Sequence, residues 1–305
     1  MSMPVHSHDH GGHHHGGAPD YGPRFAIGVV LNLAFVIVEA SVGLVTGSLA
    51  LVADAGHNLS DVASLLLAWG AVWLAGRRPT MRTTYGLRKA TVLASLASAC
   101  LLLIALGVIT WEAVGRLQEP TAVGSTQIIL VAAIGVVINV ATALLFFAGR
   151  KDDLNIRGAY LHMAADAAVS LGVVVGGIVI GATGWGWVDP VLSLLIVVVI
   201  LIGTWGLLRE STHLLLDGVP AGLDPRAVQE WLLAHPDVAS VHDLHIWGLS
   251  TTEVALTAHL VTPAGYPGTG VLQELTAGLH DRFGIDHATL QIEVDDPGHG
   301  CALER

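Results

Sequence analysis

The chain has 305 residues, 52% hydrophobic and only 13% charged, about half the charged share of an ordinary soluble domain. Two cysteines, Cys100 and Cys301, exclude a disulfide framework and a cysteine-rich zinc module. The net charge of −11 argues against nucleic acid as a partner, and it is unevenly placed. Residues 210–305 carry 14 Asp/Glu against 3 Arg, whereas residues 1–209 balance 11 acidic against 11 basic residues. An apolar part is followed by an acidic tail of soluble composition.

The first 22 residues form a segment of their own. His6, His8, His10, His13, His14 and His15 lie among Gly, Ser and Asp with no hydrophobic pattern. Such a segment is expected to be disordered and able to gather metal loosely. Its interruptions do not resemble a designed tag.

From residue 23 to 209 the chain reads as six membrane spans. A bilayer core about 30 Å thick needs roughly 20 apolar residues in a helix, and the windows 24–46, 49–76, 90–112, 121–148, 158–182 and 188–208 meet that need. The first window is too long for a signal-peptide core, and no small-residue cleavage site follows it. Lys and Arg set the expected orientation. Arg77, Arg78, Arg82, Arg88 and Lys89 lie between spans 2 and 3, and Arg150, Lys151 and Arg157 between spans 4 and 5. Arg24 and Arg209 flank the whole, and the opposite side has only Arg116. Both termini are therefore expected in the cytoplasm, with the protein in the bacterial inner or plasma membrane.

Six acidic or histidine residues lie well inside the spans, away from their ends: Glu39, Asp54, His57, Asp61, His162 and Asp166. Each is a functional candidate by default, because charge at membrane depth is costly. His57-x-x-x-Asp61 lies in span 2 and His162-x-x-x-Asp166 in span 5. Residues i and i+4 share a helix face, so each pair presents an imidazole and a carboxylate together. At 1.5 Å per residue, His57 and Asp61 lie roughly 12 and 18 Å below the outer end of span 2, and His162 and Asp166 roughly 6 and 12 Å above the inner end of span 5. Adjoining helices would bring both pairs near the midplane. Two imidazoles and two carboxylates make a tetrahedral N2O2 set suited to Zn2+ rather than to Mg2+ or Ca2+. The competing explanations are hydrogen-bonded helix contacts and a catalytic zinc, but no His-Glu-x-x-His motif is present. Asp54, one turn before His57, is either an outer relay for ions or a helix contact. Glu39, Asn32 and Asn139 are expected to bond between helices.

After Asp217 the pattern changes. Residues 224–234 read as a helix, Val238–Trp247 and Glu253–Val261 as strands, Thr269–Phe283 as a helix and Ala288–Val294 as an alternating strand. This α-β-β-α-β order suits a small two-layer domain over 210–295, followed by a C-terminal segment, 296–305.

The stretches LALVADAGHNLSD (Leu49 to Asp61), YGLRKA (Tyr85 to Ala90), EAVGRLQEP (Glu112 to Pro120), NIRGAYLHMAAD (Asn155 to Asp166), VDPVLS (Val188 to Ser193) and VHDLHIWGLS (Val241 to Ser250) resemble the cation diffusion facilitator family of zinc exporters. The resemblance covers roughly residues 24–295. It implies a homodimeric antiporter in the lipid bilayer, with six transmembrane helices and a cytoplasmic ferredoxin-like α+β domain, exchanging divalent metal for H+. It places the transported Zn2+ on His57, Asp61, His162 and Asp166, with His57 favouring zinc and Cd2+ or Co2+ as secondary cargo. It places a regulatory Zn2+ on His242, His259 and Glu293; the ligand-type side chains His245, His287, His299 and Cys301 of the tail are accessory candidates by residue type alone. Lys89 and Asp217 resemble the family's charge pair at the membrane–cytoplasm junction. Two departures stand out. The loop Gly76 to Lys89 lacks the His and Asp of a second membrane-side site, and residues 149–157 hold no histidine.

Antiport would follow from the chemistry of the quartet. Metal needs neutral imidazoles and ionised carboxylates, so binding releases protons, and an emptied site favours reprotonation. The other function classes that fit are a metal-gated channel or uniporter, which cannot move zinc uphill, and a membrane-anchored sensor, which would transport nothing. No reading makes the chain an enzyme.

Overall fold

A computed structural model describes residues 23–119, 124–147 and 154–294. Side chains at 23–32, 61, 64, 65, 68, 145, 146, 154–159, 161 and 162 lie outside what it describes. Six long helices come first: α1 (Pro23–Thr46), α2 (Leu49–Ala75), α3 (Ala90–Gln118), α4 (Ser125–Phe147), α5 (Leu154–Thr183) and α6 (Val188–Leu215). They are followed by α7 (Pro225–Leu233), β1 (Ser240–Gly248), β2 (Val254–Val261), α8 (Thr269–Phe283) and β3 (His287–Glu293).

The six helices stand in the six predicted windows. Among the described residues, α3, Ser125–Leu144 of α4, Met163–Thr183 of α5 and α6 are long and apolar enough to cross a membrane, and α1 adds the shorter apolar stretch Leu33–Thr46. Two helices outrun their apolar windows by more than a turn at the C-terminal end. α3 continues past Glu112 to Gln118, and α6 continues past Arg209 to Leu215. The reason is local: charged residues end an apolar run without ending a helix, and the Arg116 guanidinium folds back onto Glu112 one turn away at 3.0 Å. The Arg116 guanidinium also donates to the Gly47 carbonyl in the turn between α1 and α2.

The helices pack around Phe35, Leu51, Leu106, Ile109, Ile128, Val131, Val173, Ile196, Val197 and Ile200. Small residues let them approach closely. A Cβ added at Gly177 of α5 would lie 2.8 Å from Ile129 Cγ1 of α4, so a larger residue would push the helices or the Ile129 side chain aside. Large apolar side chains such as Leu101, Ile104, Val108, Leu195, Val199 and Ile202 remain on the outside. An unpaired apolar exterior on this scale marks contact with lipid rather than water.

The start of α2 is held from outside the helix. Ser48 is its N-cap, accepting from the Leu51 amide. The buried Asp189 carboxylate at the start of α6 accepts from Ser48 Oγ at 2.6 Å, Leu49 N at 2.7 Å and Ala50 N at 3.3 Å. A carboxylate at a helix N-terminus satisfies orphan amides and complements the helix dipole. This contact fixes how far α2 slides along α6.

The tail forms a three-stranded sheet in the order β1-β2-β3, with β1 and β2 antiparallel and β2 and β3 parallel. α7 begins at Asp224, whose side chain accepts from Arg226 N, with a proline at the helix start. α8 ends at Gly284, which takes the left-handed conformation (φ 66°). Val228, Leu232, Leu275 and Leu279 of the helices bury one sheet face with Val241, Ile246, Leu256, Ala258 and Leu260. The opposite face is left for chemistry. The predicted α-β-β-α-β order is present, each boundary within two residues of its expected place. One feature differs: β1 carries a bulge between His242 and His245.

Asp189→Ala should lower the stability of the purified protein by about 1–3 kcal/mol, because three buried donors lose their acceptor. Asp189→Asn, which keeps an acceptor oxygen, should cost less. Thermal unfolding in detergent measures both, and equal losses would contradict the capping role.

Candidate metal centres

α2 and α5 run antiparallel through the bundle, and two contacts give their register. Ser170 Oγ donates to Asp54 Oδ2 at 3.0 Å, and His57 Nε2 lies 3.4 Å from Asp166 Oδ1. From the second contact, one turn along α2 reaches Asp61 and one turn back along α5 reaches His162. Helical register thus sets all four residues on the shared α2–α5 seam. The side chains of Asp61 and His162 lie outside the described ones. Asp166 is 2% exposed, and His57 keeps 17% of its side chain accessible.

Asp54 is fully buried and serves as a helix contact through Ser170. Glu39 on α1, also fully buried, accepts from Asn58 Nδ2 at 3.3 Å and meets the Asp54 carboxyl group. The polar residues of α1, α2 and α5 thus form one buried network beside His57. The expectation for Glu39 agrees with this placement. Asn139 is buried, but its Nδ2 meets no acceptor among the described residues, and the side chain of Asn32 lies outside them.

The second centre is on the open face of the tail sheet. His242 and His259 are cross-strand partners, and their rings meet edge to face at 5.1 Å. Glu293, at the end of β3, pairs with Val261 two residues along β2 from His259. Its carboxylate reaches both imidazoles: Oε2 lies 3.0 Å from His242 Nε2, and Oε1 lies 3.1 Å from His259 Nδ1. Gln291 Nε2 steadies Oε1 by donating to it at 2.8 Å. One ligand atom from each of the three residues lies within 4.8 Å of the others. Two imidazole nitrogens and a carboxylate suit Zn2+.

The accessory candidates separate from this trio. His245 Nε2 lies 3.0 Å from Asp243 Oδ1. His287 meets the Tyr85 ring edge to face at 5.6 Å. His299 and Cys301, like His6, His8, His10, His13, His14 and His15, lie outside the described residues. Asp243 is the residue that sequence reasoning missed: its Oδ2 lies 3.5 Å from His259 Nε2. The available signal was its place between His242 and His245 in a strand.

Between the two centres runs a polar junction. Lys89 Nζ lies 2.6 Å from Asp217 Oδ1 and donates to the Leu214 carbonyl at 2.9 Å. Beside it Arg88 pairs with Glu253 at 2.7 Å, and the Thr251 amide donates to Thr91 Oγ1 at 3.1 Å. Each exposed ion pair is worth about 1 kcal/mol or less; their common effect is to seat the tail against the α2–α3 loop and the start of α3.

A lipid-facing helix bundle with a buried His/Asp seam, joined to a domain with a His/His/Glu cluster, defines a membrane protein that handles metal cations. Comparison with known proteins is specific. Residues 25–216 match the cation efflux transmembrane domain, and residues 220–295 match the cation efflux protein cytoplasmic domain. The chain belongs to the cation diffusion facilitator family of metal exporters. It is 38% identical to the cation efflux system protein CzcD of Alcaligenes sp. strain CT14, covering 95% of this chain and 90% of that one. It is 35% identical to the zinc transporter ZitB of Escherichia coli K12 (97% and 94%). It is 33% identical to the cadmium, cobalt and zinc/H(+)-K(+) antiporter of Bacillus subtilis 168 (91% and 90%). The solved metal-bound C-terminal domain of the CzcD transporter from Cupriavidus metallidurans is 44% identical over 23% of this chain and 99% of that one, with a TM-score of 0.22. The protein is a multi-pass membrane transporter for metal cation efflux.

A ligand at 100 times its Kd stabilises the state that binds it by about 2.7 kcal/mol. Saturating zinc should therefore raise the melting temperature of the tail in the parent, and His242→Ala with His259→Ala should remove that rise. An equal rise in the double variant would place tail binding elsewhere.

Proposed function

We propose that the protein exports Zn2+, with Cd2+ and Co2+ as secondary cargo, from the cytoplasm in exchange for protons. His57, Asp61, His162 and Asp166 are the transport ligands. The observation that carries this reading is the contact between His57 and Asp166 across the α2–α5 seam, with Asp61 and His162 one turn further along the same register. The relatives' names support it: one is a zinc transporter, and another is an antiporter of cadmium, cobalt and zinc with protons and potassium.

The exchange follows from the donor set. Zinc is held by neutral imidazoles and ionised carboxylates, so its arrival from the cytoplasm expels protons from the quartet. Once zinc has left on the outer side, carboxylates among aliphatic helices lack a counter-charge, and protons from outside supply it. Asp189 and the Glu39–Asp54–Asn58 network keep α2 in place while its site alternates in charge.

In this reading all six helices cross the inner or plasma membrane, both termini are cytoplasmic, and the protein is a homodimer. The basic loops at residues 77–89 and 150–157 support the orientation. The tail senses metal rather than carrying it, through His242, His259 and Glu293. Two tails of net charge −11 repel each other. Cation binding reduces that repulsion and favours one dimer arrangement, which reaches the helices through Lys89–Asp217 and Arg88–Glu253.

The test is zinc uptake into inside-out vesicles under an imposed pH gradient. Asp61→Ala or Asp166→Ala should abolish uptake while the protein remains folded, because water cannot easily replace a ligand oxygen at that depth. Near-normal uptake by either variant would overturn the site.

A further inference from the structure

β1 departs from a regular strand at one place, and that place adjoins the tail cluster. His242 is opposite His259 and His245 is opposite Thr257, so Asp243 and Leu244 together face one residue, Ala258. This is a β-bulge. Its effect on the faces of the strand is direct. Val241, Leu244 and Ile246 pack into the helix-covered core. Strict alternation from Val241 would instead have sent Asp243 and His245 inward and Leu244 outward. The inserted residue reverses the alternation, keeps Leu244 in the core, and puts His242, Asp243 and His245 on the open face together.

Asp243 pays for this arrangement with a left-handed backbone, φ 49°, uncommon for a residue with a Cβ. Strained backbone that persists beside a cluster of metal-type ligands points to a role for the side chain. Its carboxylate is divided between two imidazoles: Oδ1 lies 3.0 Å from His245 Nε2, and Oδ2 lies 3.5 Å from His259 Nε2. His259 therefore stands between two carboxylates, with Nδ1 turned to Glu293 Oε1 at 3.1 Å and Nε2 turned to Asp243. A neutral imidazole has one N–H and one lone pair, and the group that accepts the N–H decides which nitrogen is left to bind metal.

We infer that Asp243 is a positioning residue for the tail metal site: with zinc on His259 Nδ1 beside Glu293 and His242, the N–H of that ring is on Nε2, and the Asp243 carboxylate faces it and holds the ring. The inference rests on the proposed metal-binding role of that trio. Asp243 does not touch the metal; it holds the ring of a residue that does. Partners of this kind are worth 10–100-fold in metal affinity. His245, on the other oxygen of the same carboxylate, holds Asp243 in place and is not itself a ligand.

The experiment uses the protein in detergent with residues 2–20 removed and carrying Asp61→Asn and Asp166→Asn, so that zinc titration reports the tail. Asp243→Gly accepts the left-handed backbone without strain and removes only the carboxylate. It should weaken zinc binding 10–100-fold while the melting temperature of the metal-free protein stays the same or rises. A loss confined to stability, with zinc affinity within twofold of the parent, would overturn the inference. A parent in which His259→Ala leaves zinc binding intact would overturn the trio as the site, and the inference with it. A second measurement needs no Asp243 variant. In the zinc-loaded parent, 15N-histidine NMR should show His259 protonated at Nε2 and metal-bound at Nδ1, and the reverse assignment would contradict the role of Asp243.

Discussion

A carboxylate among aliphatic helices is tolerable only when something of opposite polarity or charge meets it. Here Asp166, 2% exposed, is met by His57 from the next helix at 3.4 Å. That contact depends on α2 and α5 keeping a fixed register, and much of the bundle serves this. The Asp189 carboxylate ties the start of α2 to α6, Ser170 ties α5 to Asp54, and Glu39 on α1 engages Asn58 and Asp54. Glycines such as Gly177 bring α5 close to α4. The result is a polar seam of limited extent in an otherwise apolar body.

The tail solves a related problem in water. Its helices cover one sheet face and its open face carries the ligand cluster, with strand pairing setting His242 against His259 and the parallel addition of β3 bringing Glu293 alongside. The same domain is seated on the loop between α2 and α3 by Lys89–Asp217, Arg88–Glu253 and the Tyr85–His287 ring contact. The loop is covalently continuous with α2, the helix that bears His57. Movement of the tail therefore has a short physical path to the α2–α5 seam.

Much of this was legible in the sequence, for reasons of scale. A run of twenty apolar residues reads as one helix regardless of its neighbours, so six windows became six helices. Two His-x-x-x-Asp pairs carry their own geometry, because i and i+4 always share a face. The alternation of Leu290 and Ile292 against Gln291 and Glu293 likewise marks a half-buried strand. What was missed depends on partners far away in the chain or on an inserted residue. The cap that Asp189 gives to α2 joins residues about 140 positions apart, and nothing local announces it. Asp243 was passed over because a period-two reading has no place for a bulge, and the bulge itself is what brings its carboxylate to His259. His287, one of the metal-type histidines of the sequence, meets the Tyr85 ring in the structure, a contact that ligand chemistry does not announce.

In the proposed exchange, metal moves against its own gradient as protons run down theirs. Zinc flux in proteoliposomes with a set pH difference measures it most directly. The protein should accumulate zinc above the external concentration in vesicles that are acidic inside, and accumulation should collapse when the pH difference is dissipated. Zinc that merely equilibrates, at a rate and level indifferent to the pH difference, would show a passive conduit and contradict the exchange.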